Sequence, residues 1–177
     1  MIVTVGSGAA VARARPGLEK LLAEPIVTLE RIRLCKRDGN TLVEPRHVAE
    51  QDGAGLGIWQ KLTIYSSKQA RSGGHPLHVD VIRRLRMEGA SGATSLRGVW
   101  GVSGDHPPHG DRLFRVRREV PVVTSIVDRP ARIRRWFEIV DECTASAGLG
   151  TSELVPALRA VSPGRASGDL RLARLRR

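Results

Sequence analysis

The chain has 177 residues, 41% of them hydrophobic, with three Trp, one Tyr and two Phe. That suits one compact domain, or one domain and part of a second, with a core built from Val, Leu, Ile and Ala. Lys and Arg outnumber Asp and Glu by 29 to 18, a formal charge of +11, and no apolar run approaches the roughly 20 residues of a membrane span.

The charge is dispersed. Arg159 to the end holds Arg159, Arg165, Arg171, Arg174, Arg176 and Arg177 against Asp169, and the rest is spread over predicted helices, as in Arg83, Arg84 and Arg86. Without interleaved aromatics for base stacking, this pattern does not favour a nucleic-acid partner. Cys35 and Cys143 match neither metal spacing nor a disulfide framework and are read as reduced thiols of a cytoplasmic protein.

MIVTVG reads as a strand, AAVARARPGLEKLLAEP as a helix and IVTLERIRLC as a strand. The alanine-rich opening lacks a basic leading segment, and arginine interrupts its apolar stretch, so it is not read as a secretory leader. From Lys36 to Gly57 the chain is a polar, glycine-rich linker. QKLTIYS then alternates as a strand, SSKQARSGG is a loop, and Leu77, Val81, Ile82 and Leu85 predict a helix that stops at Gly89.

ATSLRGVWG is a second strand, VPVVTSIV a third, and Asp128 an N-cap for PARIRRWFEIVDECTA. TSELVPAL is the last strand, placed at an edge or given a bulge by Pro156. The order is the split βαβ of an α+β, ferredoxin-like fold, an antiparallel sheet with two helices on one face. The first segment matches the back half of this unit at an offset of 122, Val11 opposite Ile133 and Leu18 opposite Val140. The expected organisation is a partial repeat over 1–37, a linker over 38–58, a complete domain over 59–163 and a disordered basic tail over 164–177.

GVSGDHPPHGD, residues 101–111, gathers the candidate chemistry. Asp105, His106, His109 and Asp111 offer metal ligands, although Pro107 and Pro108 exclude the helix that would converge the histidines. The 19 residues from Gly101 to Glu119 form a connection whose length suits binding, movement or assembly. LRGVWGVSG adds unshielded backbone N–H groups beside Arg97, able to cradle an anion, or the glycines simply permit a tight strand exit. GGHPLH, with His75 and His78, is read as a loop-to-helix junction rather than an anion site. No phosphate loop, nucleophile elbow, HExxH or dinucleotide fingerprint is present.

KLTIY, HPLHVDVIRRLR, GASGATSLRGVWGVSGDHPPHGDRLF and VPVVTSIVD together resemble the bacterial and archaeal domain of unknown function one-ninety family. The resemblance runs from about Trp59 to Pro163 and implies the ferredoxin-like superfamily of P-II-type signalling proteins. It implies a homotrimer whose long loops bind adenine nucleotides and engage partner proteins, with no reaction catalysed. Carried onto this chain, the nucleotide-contacting residues are Arg97, Gly98, Gly101, Gly104 and His109, with Gly148 and Thr151 on a second, phosphate-facing loop. The implied ligand is an adenine nucleotide or similar small anion. The alternatives are a metal-binding protein using the Asp/His loop and a basic adaptor for nucleic acid or an anionic surface.

Overall fold

A computed structural model describes residues 2–21, 26–53, 55, 57–101, 109–110, 120–155, 159–162 and 165–167. The chain divides into two compact units, Met1–Arg31 and Ile32–Arg177. In the first, α1 spans Gly8–Leu21 and accommodates Pro16. Its start is bonded locally, Ser7 Oγ accepting from the Ala10 amide at 3.2 Å. Residues 2–7 and 26–32 form no strand, unlike the reading of MIVTVG and of the first part of IVTLERIRLC.

The second unit is α+β. The sheet strands are β1 (Arg33–Arg37), β2 (Asn40–Thr41), β3 (Trp59–Ser67), β6 (Ala93–Arg97), β9 (Pro121–Asp128) and β10 (Leu149–Val155). Their spatial order is β2-β1-β10-β3-β9-β6, every neighbour antiparallel. Taken alone, β3, β6, β9 and β10 are the four strands of the ferredoxin-like unit, with the fourth beside the first. Helix α2 (Leu77–Met87) joins β3 to β6, and α3 (Pro130–Cys143) joins β9 to β10.

Alternation decides the buried face. Leu62 and Ile64 of β3 stand across from Ile126 and Thr124 of β9, and these four face the helices and are buried. Leu77, Val81 and Leu85 of α2 and Ile133, Trp136, Phe137 and Val140 of α3 complete the core at helical spacing. Each fully buried side chain of this size stabilises the fold by about 1.5–3 kcal/mol. Gly89, at φ +80°, ends α2 in the left-handed conformation where its stop is predicted.

Several local expectations are corrected. β10 is not an edge strand, because β1 pairs along its outer side. A register irregularity lies in β1, between Leu34 and Lys36; Pro156, where a bulge is expected, lies outside the described residues. The second strand stops at Arg97, and Trp100–Gly101 belongs to a separate ribbon. Asp128 ends β9, and the N-cap of α3 is Arg129, followed by Pro130. Asp128 still serves the helix start, accepting from the Arg129 amide at 2.9 Å and from Trp136 Nε1 at 3.0 Å.

The predicted linker also carries structure. Asp38 and Gly39, at φ +49° and +83°, make the two-residue turn between β1 and β2. The polar loop after β3 contains a small hairpin, β4 (Arg71–Ser72) with β5 (His75–Pro76). Beyond β10, β11 (Arg159–Ser162) pairs with β12 (Arg165–Ser167).

Candidate functional site

Arg97 is the last residue of β6, across from Val122, and its side chain is exposed. The next residue turns the chain: the Gly98 amide donates to the Pro121 carbonyl at 2.8 Å. A Cβ on Gly98 would stand 2.8 Å from Pro121 Cγ, and one on Gly101 would stand 3.0 Å from the same atom. Both glycines therefore let the departing chain lie directly on the proline that opens β9.

The chain then forms a ribbon. β7 (Trp100–Gly101) pairs with β8 (His109–Gly110), Gly101 opposite His109. Its root displays apolar surface, with Leu96 58%, Val99 78% and Trp100 67% exposed. An exposed indole beside an arginine, on a backbone held to the sheet end, can stack a flat ring or meet an apolar partner surface.

Arg97 at the end of β6, Gly98 at the turn, and Gly101 with the backbone of His109 in the ribbon thus follow one another from one strand end. Gly104, Asp105, His106 and Asp111 lie outside the described residues, so the loop's metal constellation lies there too, apart from the backbone of His109. Among the described residues no three His, Cys, Asp or Glu side chains gather for a metal.

Gly148 is at the same end of the sheet as Arg97. It is three strand spacings away, about 14 Å. Its φ of +109° fits only glycine well, and its carbonyl accepts from the Asp38 amide at 2.8 Å. Thr151 lies further along β10, between Leu34 and Thr63, and is 2% exposed. Within this chain the structure does not bring Gly148 or Thr151 together with Arg97.

GGHPLH is a turn and helix start. Gly73 and Gly74 take φ of +53° and +81° between β4 and β5. The first turn of α2 holds its own carboxylate, Asp80, which accepts from Ser72 Oγ at 2.8 Å and from Arg83 at 2.6 Å. The Arg83 hydrogen bond prevails over burial and, with Ser72 and Cys143, keeps the Asp80 carboxyl below the usual carboxylate range. A fixed negative charge there opposes an incoming anion.

Between α2 and α3 lies a groove of about 370 Å³. Arg84 pairs with Glu142 and Arg135 with Glu88 across it. At its C-terminal end Cys143 contacts Asp80 at 3.6 Å and Arg84 at 3.4 Å. Burial pushes this thiol up, against Ser72 and Arg84. The groove's lining is charge-balanced, Arg83, Arg84 and Arg135 against Glu88, Glu138 and Glu142, and the buried Cys143 thiol, raised by burial, is no activated nucleophile.

Sequence reasoning reached Arg97 and the glycines through residue type, but not the exposure of Leu96, Val99 and Trp100. The available signal was GVWG, apolar residues set between glycines at the mouth of a polar loop.

Two similarities accompany this geometry. The DUF190 family, described as "Uncharacterized ACR", matches residues 59–157. A UPF0166 protein of Aquifex aeolicus (strain VF5) is 30% identical over 77 residues, covering 44% of this chain and 73% of that protein. The matched region contains β3 to β10 and the ribbon. No helix of the described residues is long and apolar enough to cross a membrane.

Proposed function

The chain belongs to the DUF190 family, and on that footing we propose that it is a non-enzymatic, P-II-like regulatory protein. It binds a small anionic ligand, in the first instance an adenine nucleotide, at the root of the loop that follows β6. It acts as a cytoplasmic homotrimer, and ligand binding biases the loop's contact with a partner protein.

The observation that carries this reading is the ribbon. A binding loop must be anchored at its root yet free to present a surface, and both features meet here. Gly98 and Gly101 pack on Pro121, while Val99 and Trp100 stay exposed. Arg97 supplies positive charge at the strand end, and the indole of Trp100 supplies a stacking face for a base. A ligand that touches both Arg97 and the ribbon prefers the ordered loop, as a switch requires.

Calorimetry with ATP, ADP and AMP tests the reading, alongside Arg97→Ala and Trp100→Ala. Binding in the wild type is expected to weaken about tenfold or more in Arg97→Ala, the loss of one charge-assisted contact. Absence of binding by the wild type at millimolar nucleotide overturns the proposal.

A further inference from the structure

At the other end of the sheet, where β3 begins and β9 ends, the structure holds a group of donors that, among the described residues, no salt bridge to an acid reaches. Arg129 lies with its guanidinium carbon 4.5 Å from the Trp59 ring centroid. A Cβ on Gly57 would come within 2.5 Å of its Nη1, so bare backbone meets the terminal edge of the guanidinium. The ring contact thus restricts the freedom of the guanidinium.

The neighbouring carboxylate of Asp128 is already committed. Asp128 is buried and receives the Arg129 amide, Trp136 Nε1 and, at 3.5 Å, Arg132 Nε. The Trp59 indole N–H is itself buried, in a residue only 5% exposed, and has no acceptor among the described residues.

Arg46 and His47 reach the same end of the sheet. Gln60 of β3, across from Asp128, donates to the Arg46 carbonyl at 3.5 Å. Arg134, one turn into α3, contacts His47 Nδ1 at 3.3 Å. With the arginine as donor, His47 Nδ1 is the bare acceptor, and the ring's proton sits on Nε2 as a further donor.

Other arginines are paired with acids. Arg83, Arg84, Arg132 and Arg135 each meet a carboxylate. Among the described residues no salt bridge reaches Arg46, Arg129 or Arg134, although Glu50 and Asp52 lie in the neighbouring loop and Glu138 on the same helix.

We infer that Arg46, His47, Trp59, Arg129 and Arg134 form a second anion site, which takes a phosphate group. The planar forks of the arginines match phosphate oxygens two at a time, and the ring-held Arg129 loses little freedom on binding. The phosphate can belong to a small phosphorylated molecule or to a nucleic-acid backbone. The site stands apart from Arg97 and does not depend on the ribbon's role.

The test titrates the full chain at low ionic strength with inorganic pyrophosphate by calorimetry, and with a short labelled single-stranded oligonucleotide by anisotropy. The exposed pair Arg46→Ala/Arg134→Ala is compared with Arg71→Ala/Arg86→Ala, which removes equal charge from exposed positions elsewhere. Binding of at least one probe is expected. It should weaken about tenfold or more in the first pair, change less than about twofold in the second, and persist in Arg97→Ala. Arg129→Lys, which keeps the charge and loses the fork, should also weaken it. Binding of pyrophosphate assigns a small phosphorylated ligand, and binding of the oligonucleotide alone assigns a backbone. Failure of both probes at millimolar concentration, or equal loss in the two double variants, overturns the site.

Discussion

Gly98 and Pro121 hold the two ends of the long loop together: the glycine amide donates to the proline carbonyl at 2.8 Å, and a side chain on the glycine would stand 2.8 Å from the proline ring. Gly98→Ala must therefore push the ring or the chain aside. It is expected to cost about 1–3 kcal/mol in urea denaturation. Gly92→Ala, with nothing within 4 Å of the added carbon, should stay within about 0.5 kcal/mol of the wild type. An unchanged midpoint for Gly98→Ala would mean that Pro121 yields and the loop root is soft.

Asp80 contributes a pH-dependent increment. Its pKa is lower folded than unfolded, chiefly through the Arg83 hydrogen bond. The increment is therefore complete above the unfolded value of about 3.9 and is lost as the pH falls through the folded value. Asp80→Asn should cost about 1–3 kcal/mol at pH 7. Urea midpoints of variant and wild type should converge on acidification below about pH 4.

Lys36 is buried, and its ammonium donates to both the carbonyl and the carboxylate of Asp141, each at 2.6 Å. Thr41 donates to the same carboxylate. Burial alone would raise the Asp141 pKa, but the Lys36 and Thr41 hydrogen bonds prevail and hold it low. Asp141→Ala leaves a buried charge short of its counterion and should cost about 2 kcal/mol, moderated by the half-exposed carboxylate. Lys36→Met removes the charge and keeps the volume, so chemical denaturation should show the smaller loss. The reverse ranking would show that the ion pair itself is the source of stability.

Both cysteines should be silent in the native protein. Cys35 is fully buried, and burial pushes its thiol up to about 11, with Arg33 pulling the other way. Cys143 is also raised by burial. A disulfide reagent at pH 8 should label neither in the folded state and both after denaturation. Rapid native labelling of either residue would reveal local opening that exposes the thiol.

Between Trp59 and Val155 the main strands and helices of the unit are legible because each obeys one period, although the β4–β5 hairpin and the β7–β8 ribbon are not. Leu62 and Ile64 alternate, Ile133, Trp136, Phe137 and Val140 recur at helical spacing, and Gly89 stops its helix. The failures share a cause: strands need partners, and sequence periodicity does not name them. Residues 2–6 are mostly apolar yet form no strand, whereas Arg33–Arg37 finds β10 and makes it an interior strand. The Asp38–Gly39 turn was readable from its residue types and was passed over as linker.

The candidate site divides the same way. Arg97 and its glycines stood out by residue type, but the contact of Gly98 with Pro121 joins two ends of a long loop. The arginines of α3 looked alike in sequence. Only packing separates Arg132 and Arg135, which meet carboxylates, from Arg129, which lies on Trp59.

The pairing of β1 along β10 also limits how copies of this sheet can propagate. Of its two outermost strands, β2 is two residues long and β6 is five. A template of useful length therefore exists on one flank only. Edge-to-edge association can join two sheets through β6, and the result then presents a stub at each end. Growth by edge pairing alone would stop at a pair, so the homotrimer proposed above is expected to form through other surfaces than the strand edges.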